Sequence, residues 1–351
     1  MKTIDFTKLA RRNIRSLKPY EAKEIPCKVK LDANESPYSL PENIFMKKNI
    51  FRSLNRYPDP DAKELKKTVA KNFKVNIGNI LLGNGSDELI YYLITAFEGP
   101  VLYPVPTFSM YGIISKASGE KAIGIPLDKD FDLDTDKMLA AVKKYNPKLV
   151  FLSSPNNPTG NCFSADRILK IIEASKGIVV VDEAYQPFSS EKGFLPLLGD
   201  YKNLAILRTL SKIGFAALRV GFLIGDPGMI KEVNKVRLPF NLNSASQALA
   251  LEAFKRKKIV NSQIKNITSE RERLLEELDN IGGISPYPSE ANFILFRAKN
   301  ANIVYHRLIK EGVLIRNLGK AIKDALRVTI GTPEENGFFI TALRKSVGGK
   351  K

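Results

Sequence analysis

Ile178-Val179-Val180-Val181-Asp182-Glu183-Ala184-Tyr185 sets an unbroken aliphatic run directly against two carboxylates. A continuous Val/Ile run without polar alternation has the composition of a strand buried on both faces of a parallel sheet. Asp182, at the end of such a strand, is costly to bury unless a cationic partner accompanies it. The segment therefore reads as a central strand that delivers a charged group to a site.

Working outward, runs of the same kind occur at Ile80-Leu82, Val101-Tyr103, Lys148-Leu152, Leu204-Leu207 and Val220-Ile224, separated by helix-length segments and ending in Gly, Pro, Ser or Asn. That alternation from about residue 62 to 226 specifies an α/β domain with a mostly parallel sheet. Residues 243–280 have the apolar spacing of long amphipathic helices. After Gly282-Gly283 the texture changes to short strands around Asn292-Arg297, Val313-Arg316 and Leu326-Ile330, with helices at 301–311 and 334–346, which predicts a smaller α+β domain. The first 40 residues have little periodicity and read as an arm laid over another surface. The expected division is an arm over 1–42, a large domain over 43–242, and linking helices with a small domain over 243–351.

Composition narrows the function classes. In 351 residues, 44% are hydrophobic and 26% charged, which suits a globular protein and argues against disorder. No apolar run approaches the ~20 residues of a membrane helix, and the N-terminus lacks the apolar core of a secretory signal. Two cysteines, Cys27 and Cys162, fit a reducing compartment, so the expected location is the cytoplasm. With a single histidine, His306, metal and histidine-based catalysis are poor readings, and no metal is expected. The net charge of +18 is spread along the chain. It fits anionic small ligands, and the densest cluster, Lys255-Arg256-Lys257-Lys258, reads as a solvated helix end rather than a nucleic-acid surface.

The chemistry-bearing groups follow the strands, where open α/β sheets bind ligands. Gly83-Asn84-Gly85-Ser86-Asp87 leads into an apolar-periodic helix, so exposed N–H groups form an anion site, with Ser86 or Asp87 able to cap the helix. Ser154-Pro155-Asn156-Asn157-Pro158-Thr159-Gly160 fixes a loop that presents the amide of Asn157. Thr209-Leu210-Ser211-Lys212 follows another buried run, with Arg219 beyond it. A lysine at the end of a buried strand is a candidate nucleophilic amine.

Asn-Pro-Thr-Gly after a strand, Asp-x-x-Tyr, and Ser-Lys followed by Arg, in this order, resemble the fold type I pyridoxal-phosphate aminotransferases. Within them the chain is similar to the histidinol-phosphate aminotransferase family. The resemblance runs from Leu31-Asp32-Ala33-Asn34-Glu35-Ser36-Pro37, through Arg56-Tyr57-Pro58-Asp59, to Leu326-Arg327-Val328-Thr329-Ile330-Gly331. It implies a mostly parallel seven-stranded sheet with helices on both faces, pyridoxal 5′-phosphate as cofactor, and a homodimer with an active site shared across the interface. It also implies a reaction of histidine biosynthesis, between L-histidinol phosphate with 2-oxoglutarate and imidazole-acetol phosphate with L-glutamate.

The same resemblance assigns roles. Lys212 would hold the cofactor and carry a proton at the substrate α-carbon. Asp182 would pair with the pyridine nitrogen, its residue-level alternative being a helix cap. Asn157 and Tyr185 would bond the phenolate oxygen, with core packing the alternative for Tyr185. Gly85, Ser86, Thr209, Ser211 and Arg219 would hold the phosphate, joined by Tyr57 from the other subunit, with Asp87 a further cofactor-binding candidate. Phe108 would stack on the ring, with core packing as its alternative. Arg327 would capture the amino donor's carboxylate. Tyr20, Asn34 and Arg316 are candidates for the substrate phosphate and head group, against an arm anchor for Tyr20 and a surface ion pair for Arg316. Aromatic or broad-specificity transamination, decarboxylation of threonine phosphate, and a cofactor-binding regulator are the competing functions. Leu31-Asp32-Ala33-Asn34 in place of the decarboxylases' His-Gly-Gly-Asn favours transamination, and so short an arm leaves no room for a DNA-binding domain.

Overall fold

The computed structural model describes residues 5–18, 25–39 and 55–348. Its larger sheet has seven strands, β2 (Ile80–Asn84), β3 (Val101–Val105), β4 (Ala122–Pro126), β5 (Leu149–Ser153), β6 (Ile178–Asp182), β7 (Leu204–Thr209) and β8 (Val220–Gly225). They lie in the order β2-β8-β7-β6-β5-β3-β4, and only β8 runs against its neighbours.

Side-chain alternation along these strands builds two cores. Val150, Leu152, Val179, Val181 and Ile206 point to one face, where they meet Leu65 and Val69 of the helix Lys63–Phe73 and Ile168 and Ile172 of Ala165–Ala174. Phe151, Val180, Leu207 and Leu223 point to the other, against Leu89 and Leu93 of Ser86–Phe97 and Met229 and Val233 of Pro227–Asn234. Because successive residues of a strand face opposite ways, a run with no polar member needs apolar cover on both sides, and the helices supply it. The strand absent from the sequence reading is β4, Ala-Ile-Gly-Ile-Pro. It is an edge strand with every residue at least partly exposed, so it never needed a continuous apolar run.

A four-stranded antiparallel sheet follows, with β9 (Ile284–Pro286), β10 (Phe293–Ala298), β12 (Arg316–Asn317) and β13 (Ala325–Thr329) in the order β12-β13-β10-β9. Phe296, Leu326, Val328, Phe339 and Leu343 form its core with the helix Pro333–Gly348. The expected strand at Val313-Arg316 divides instead. Val313–Leu314 (β11) pairs in parallel with β1 (Val29–Lys30) of the arm, while Arg316–Asn317 joins β13. The helical stretch 243–280 likewise divides into Ser244–Lys255 and Lys257–Asp279. The longer of the two places Val260 in the first core and Ile267, Leu274 and Leu278 in the second, and so ties them together.

The arm is pinned at two points. Arg11 and Asn13 donate to the carbonyls of Ser118, Lys116 and Ala117, satisfying the open C-terminal turn of the helix Met110–Ser118. Farther on, β1 carries Leu31 and Asn34 into the smaller sheet's core. The expected boundary at residues 42 and 43 lies outside the described residues.

Candidate active site

The parallel strands β2, β5, β6 and β7 end along one edge of the large sheet, and β8 begins there because it runs the other way. Register sets Ser153 beside Asp182, Asp182 beside Leu207, Thr209 beside Gly221 and Asn84 beside Val220. Topology alone therefore brings the loops bearing Gly85, Asn157, Asp182, Lys212 and Arg219 together.

At one end of this edge the groups suit a phosphate. Gly85, with φ of 81°, precedes the first turn of the helix Ser86–Phe97, where backbone N–H groups are open. A Cβ on Gly85 would lie 2.4 Å from Arg219 Nη2, and one on Gly221 would lie 2.5 Å from the Ser86 nitrogen. Both glycines thus leave room for the guanidinium and the helix start to converge. Thr209 Oγ1 donates to Ser211 Oγ at 2.9 Å, and Arg219 Nη1 to Ser211 Oγ at 3.3 Å. Neither Ser86 nor Asp87 caps the helix, contrary to expectation: no side chain caps it, and Asp87 instead pairs with Arg219 Nη2 at 3.0 Å. Arg219 outcompetes the helix terminus for that carboxylate because a charge-assisted bond is the stronger one.

Asp182 occupies the centre. It is 4% exposed, and its Oδ2 accepts from Tyr111 Oη at 2.7 Å while Oδ1 accepts from the Ala184 N–H at 3.1 Å. Burial pushes the carboxyl up to about 6, although both hydrogen bonds and the charge of Lys212 draw it down. Such a carboxylate suits a protonated ring nitrogen, which would replace the lost solvation. Lys212 is half-buried, its Nζ 5.7 Å from the Tyr185 ring centroid.

Two hydrogen bonds from the arm and the smaller sheet orient the remaining polar groups. Arg327 Nη1 donates to Asn157 Oδ1, and Nη2 donates to the Asp32 carbonyl at 2.9 Å. With its oxygen engaged by a guanidinium, Asn157 keeps its NH₂ as the group with which it can donate to a ligand. Asn34, in the left-handed region at φ 55°, donates to Tyr185 Oη at 2.9 Å. Its backbone N–H donates to Thr329 Oγ1, and Asn292 donates to its carbonyl. Asn34 thus bridges the arm, the smaller sheet and Tyr185.

Phe108 is half-buried, with its ring edge-on to Tyr111 at 5.6 Å. Arg316 is the register partner of Arg327, so the two arginines leave β12 and β13 on the same face of the smaller sheet. Tyr57 is 82% exposed and stacks on Phe240, 4.5 Å between ring centroids. Tyr20 lies outside the described residues. His306 is exposed, and the half-buried Cys162 lies 3.4 Å from Ser189 Oγ. Among the described residues no group of His, Cys, Asp and Glu could hold a metal. The residues to which sequence reasoning gave no role are Tyr111, at the end of the Pro106-Thr107-Phe108-Ser109-Met110-Tyr111 stretch, and Glu183, whose buried carboxylate pairs with Arg208 at 2.6 Å.

Comparison with known proteins decides the relationship. Residues 26–343 match the family of class I and II aminotransferases. The chain belongs to that family. This aminotransferase is 43% identical over 347 residues to the histidinol-phosphate aminotransferase of Caldanaerobacter subterraneus subsp. tengcongensis, covering 96% of this chain and 98% of that one. Its fold is similar to the histidinol-phosphate aminotransferase of Clostridium acetobutylicum, with a TM-score of 0.84 and 25% identity over 90% of this chain and 98% of that one. The enzyme of Sinorhizobium meliloti, solved with pyridoxal 5′-phosphate, has the same fold at a TM-score of 0.84 and 24% identity, covering 96% of each chain.

Proposed function

We propose that this aminotransferase uses pyridoxal 5′-phosphate to exchange an amino group reversibly between L-histidinol phosphate and 2-oxoglutarate, giving imidazole-acetol phosphate and L-glutamate in histidine biosynthesis. The observation that carries the reading is the convergence of Lys212, Asp182, Asn157, Tyr185 and Arg219 on one sheet edge, facing Arg327. Likeness to curated enzymes of that name over nearly the whole chain supports the substrate.

When bound, the cofactor supplies a ring that accepts the electrons left on the substrate α-carbon. The protein's residues do the rest. Gly85, Ser86, Thr209, Ser211 and Arg219 hold its phosphate, Asp182 faces its ring nitrogen, and Asn157 and Tyr185 face its phenolate oxygen. Phe108 covers its face. Lys212 holds it and moves the proton at the α-carbon. Arg327 receives the glutamate carboxylate, and its neighbour Arg316 is suited to the substrate phosphate. The net charge of +18 favours this traffic of anions.

We further propose that the enzyme acts as a homodimer, which would give the exposed Tyr57–Phe240 pair a second copy to cover it and bring Tyr57 to the other copy's phosphate site. The division into an arm over 1–42, a large domain over 43–242 and a small domain over 243–351 belongs to the same reading. So does a cytoplasmic location, supported by the unpaired thiols of Cys27 and Cys162.

The substrate is tested by comparing amino donors. L-Histidinol phosphate should be consumed with a kcat/KM at least about 100-fold above that of L-histidinol or L-phenylalanine, because an unfilled arginine pocket forfeits a charge-assisted bond. Equal rates with L-phenylalanine would instead make this an aromatic or broad-specificity aminotransferase.

A further inference from the structure

Tyr111 is buried beside the cluster, with no role assigned to it from the sequence. It sits in the first turn of the helix Met110–Ser118 and has no exposed surface. Its ring lies flat on Phe151, with centroids 4.8 Å apart and planes 9° apart, and Phe108 meets it edge-on. Phe151 belongs to β5, the strand next to the one that carries Asp182. The ring is thus fixed by the same sheet that fixes the carboxylate, and its hydroxyl meets Asp182 Oδ2 at 2.7 Å.

We propose that Tyr111 is a positioning residue for the cofactor: its hydroxyl keeps Asp182 ionised for the ring nitrogen, and its perpendicular ring contact sets Phe108 against the ring face. This rests on the reading of Asp182 given above. Burial and the neighbouring Asp182 charge push the Tyr111 hydroxyl well above 10, so it stays a donor at physiological pH. The other groups facing Asp182 are the Ala184 N–H and Lys212, which favour its charged form, and Asp87, which opposes it. Tyr185 and Ser153 lie on the Tyr111 side. Without the hydroxyl, Oδ2 keeps the whole penalty of burial and loses its charge-assisted donor.

The test compares wild type, Tyr111→Phe, Asp182→Asn and the double variant. Apoprotein affinity for pyridoxal phosphate is measured by equilibrium dialysis from about pH 5 to about pH 9. In parallel, ¹³C NMR of carboxyl-labelled aspartate follows Asp182 in the apoprotein, assigned by the signal that Asp182→Asn removes. Tyr111→Phe should raise the pH at which Asp182 ionises by about one unit and weaken cofactor affinity about tenfold near pH 5 but only about twofold near neutrality. It should lower kcat while leaving the KM for glutamate near that of wild type, and the double variant should be no worse than Asp182→Asn. If Tyr111→Phe keeps the wild-type titration and affinity and loses only thermal stability, Tyr111 is merely structural and the proposal is overturned. If Asp182→Asn itself leaves affinity and its pH profile unchanged, the reading of Asp182 fails, and this inference with it.

Discussion

Arg327 donates to Asn157 across the gap between the small antiparallel sheet and the loop after β5, so the arginine proposed for the substrate carboxylate also orients the amide proposed for the cofactor. Arg327→Lys would keep the charge but lose the planar fork that reaches Asn157 and the Asp32 carbonyl together. The KM for 2-oxoglutarate should rise about tenfold or more. Initial-rate kinetics check this, and an unchanged KM would remove Arg327 from the carboxylate site.

Asp182 gives the apoprotein a characteristic pH dependence. Its carboxyl rises from 3.8 to about 6 on folding, chiefly through burial, so between those values the folded chain binds the extra proton. Stability from this group is therefore present at low pH and lost as pH rises from about 4 to about 6, a difference of about 3 kcal/mol. Asp182→Asn removes the dependence. Urea unfolding of the apoproteins should find the variant more stable than wild type at pH 7, with the gap closing toward pH 4.

Behind Asp182, the Glu183 carboxylate has no exposed surface, accepts two bonds from Arg208 and a third from the Phe194 N–H. Arg208→Ala would leave that charge buried without its cation, at a cost of about 3–5 kcal/mol. Denaturant titration of the holoenzyme should register the loss, while the KM for each substrate stays near that of wild type.

The proposed sharing of the site across a dimer makes complementation a test. Lys212→Ala and Tyr57→Ala, each impaired alone, should regain about a quarter of wild-type activity when unfolded and refolded together, since half the dimers are mixed and each holds one intact site. Recovery that never exceeds the sum of the separate variants would place Tyr57 outside the partner's site.

The central strands and their loops were legible because burial on both faces demands apolar runs, and a polar residue that interrupts such a run must be there for a reason. Asp182 stood out in this way, while Asn157 and Lys212 stood out in the loops that follow such runs. Glycine at 85 was readable for the same kind of reason, its positive φ and crowded Cβ position excluding other residues. The edge strand β4 was not, since exposure relaxes its pattern. Tyr111 looked like any aromatic in an apolar helix, and only the fold reveals that its hydroxyl meets Asp182 across 71 positions of sequence. The partner of Asn34 was not legible either, because Tyr185 lies 151 positions away in sequence and the left-handed turn that aims the amide is not encoded by composition.

The most direct measurement follows L-glutamate formed from L-histidinol phosphate and 2-oxoglutarate by the purified enzyme supplied with pyridoxal phosphate, wild type beside Lys212→Ala. The account predicts stoichiometric glutamate and imidazole-acetol phosphate from wild type, and a rate lower by several orders of magnitude from the variant. Release of carbon dioxide from a phosphorylated amino acid without glutamate formation, or equal turnover by Lys212→Ala, would contradict it.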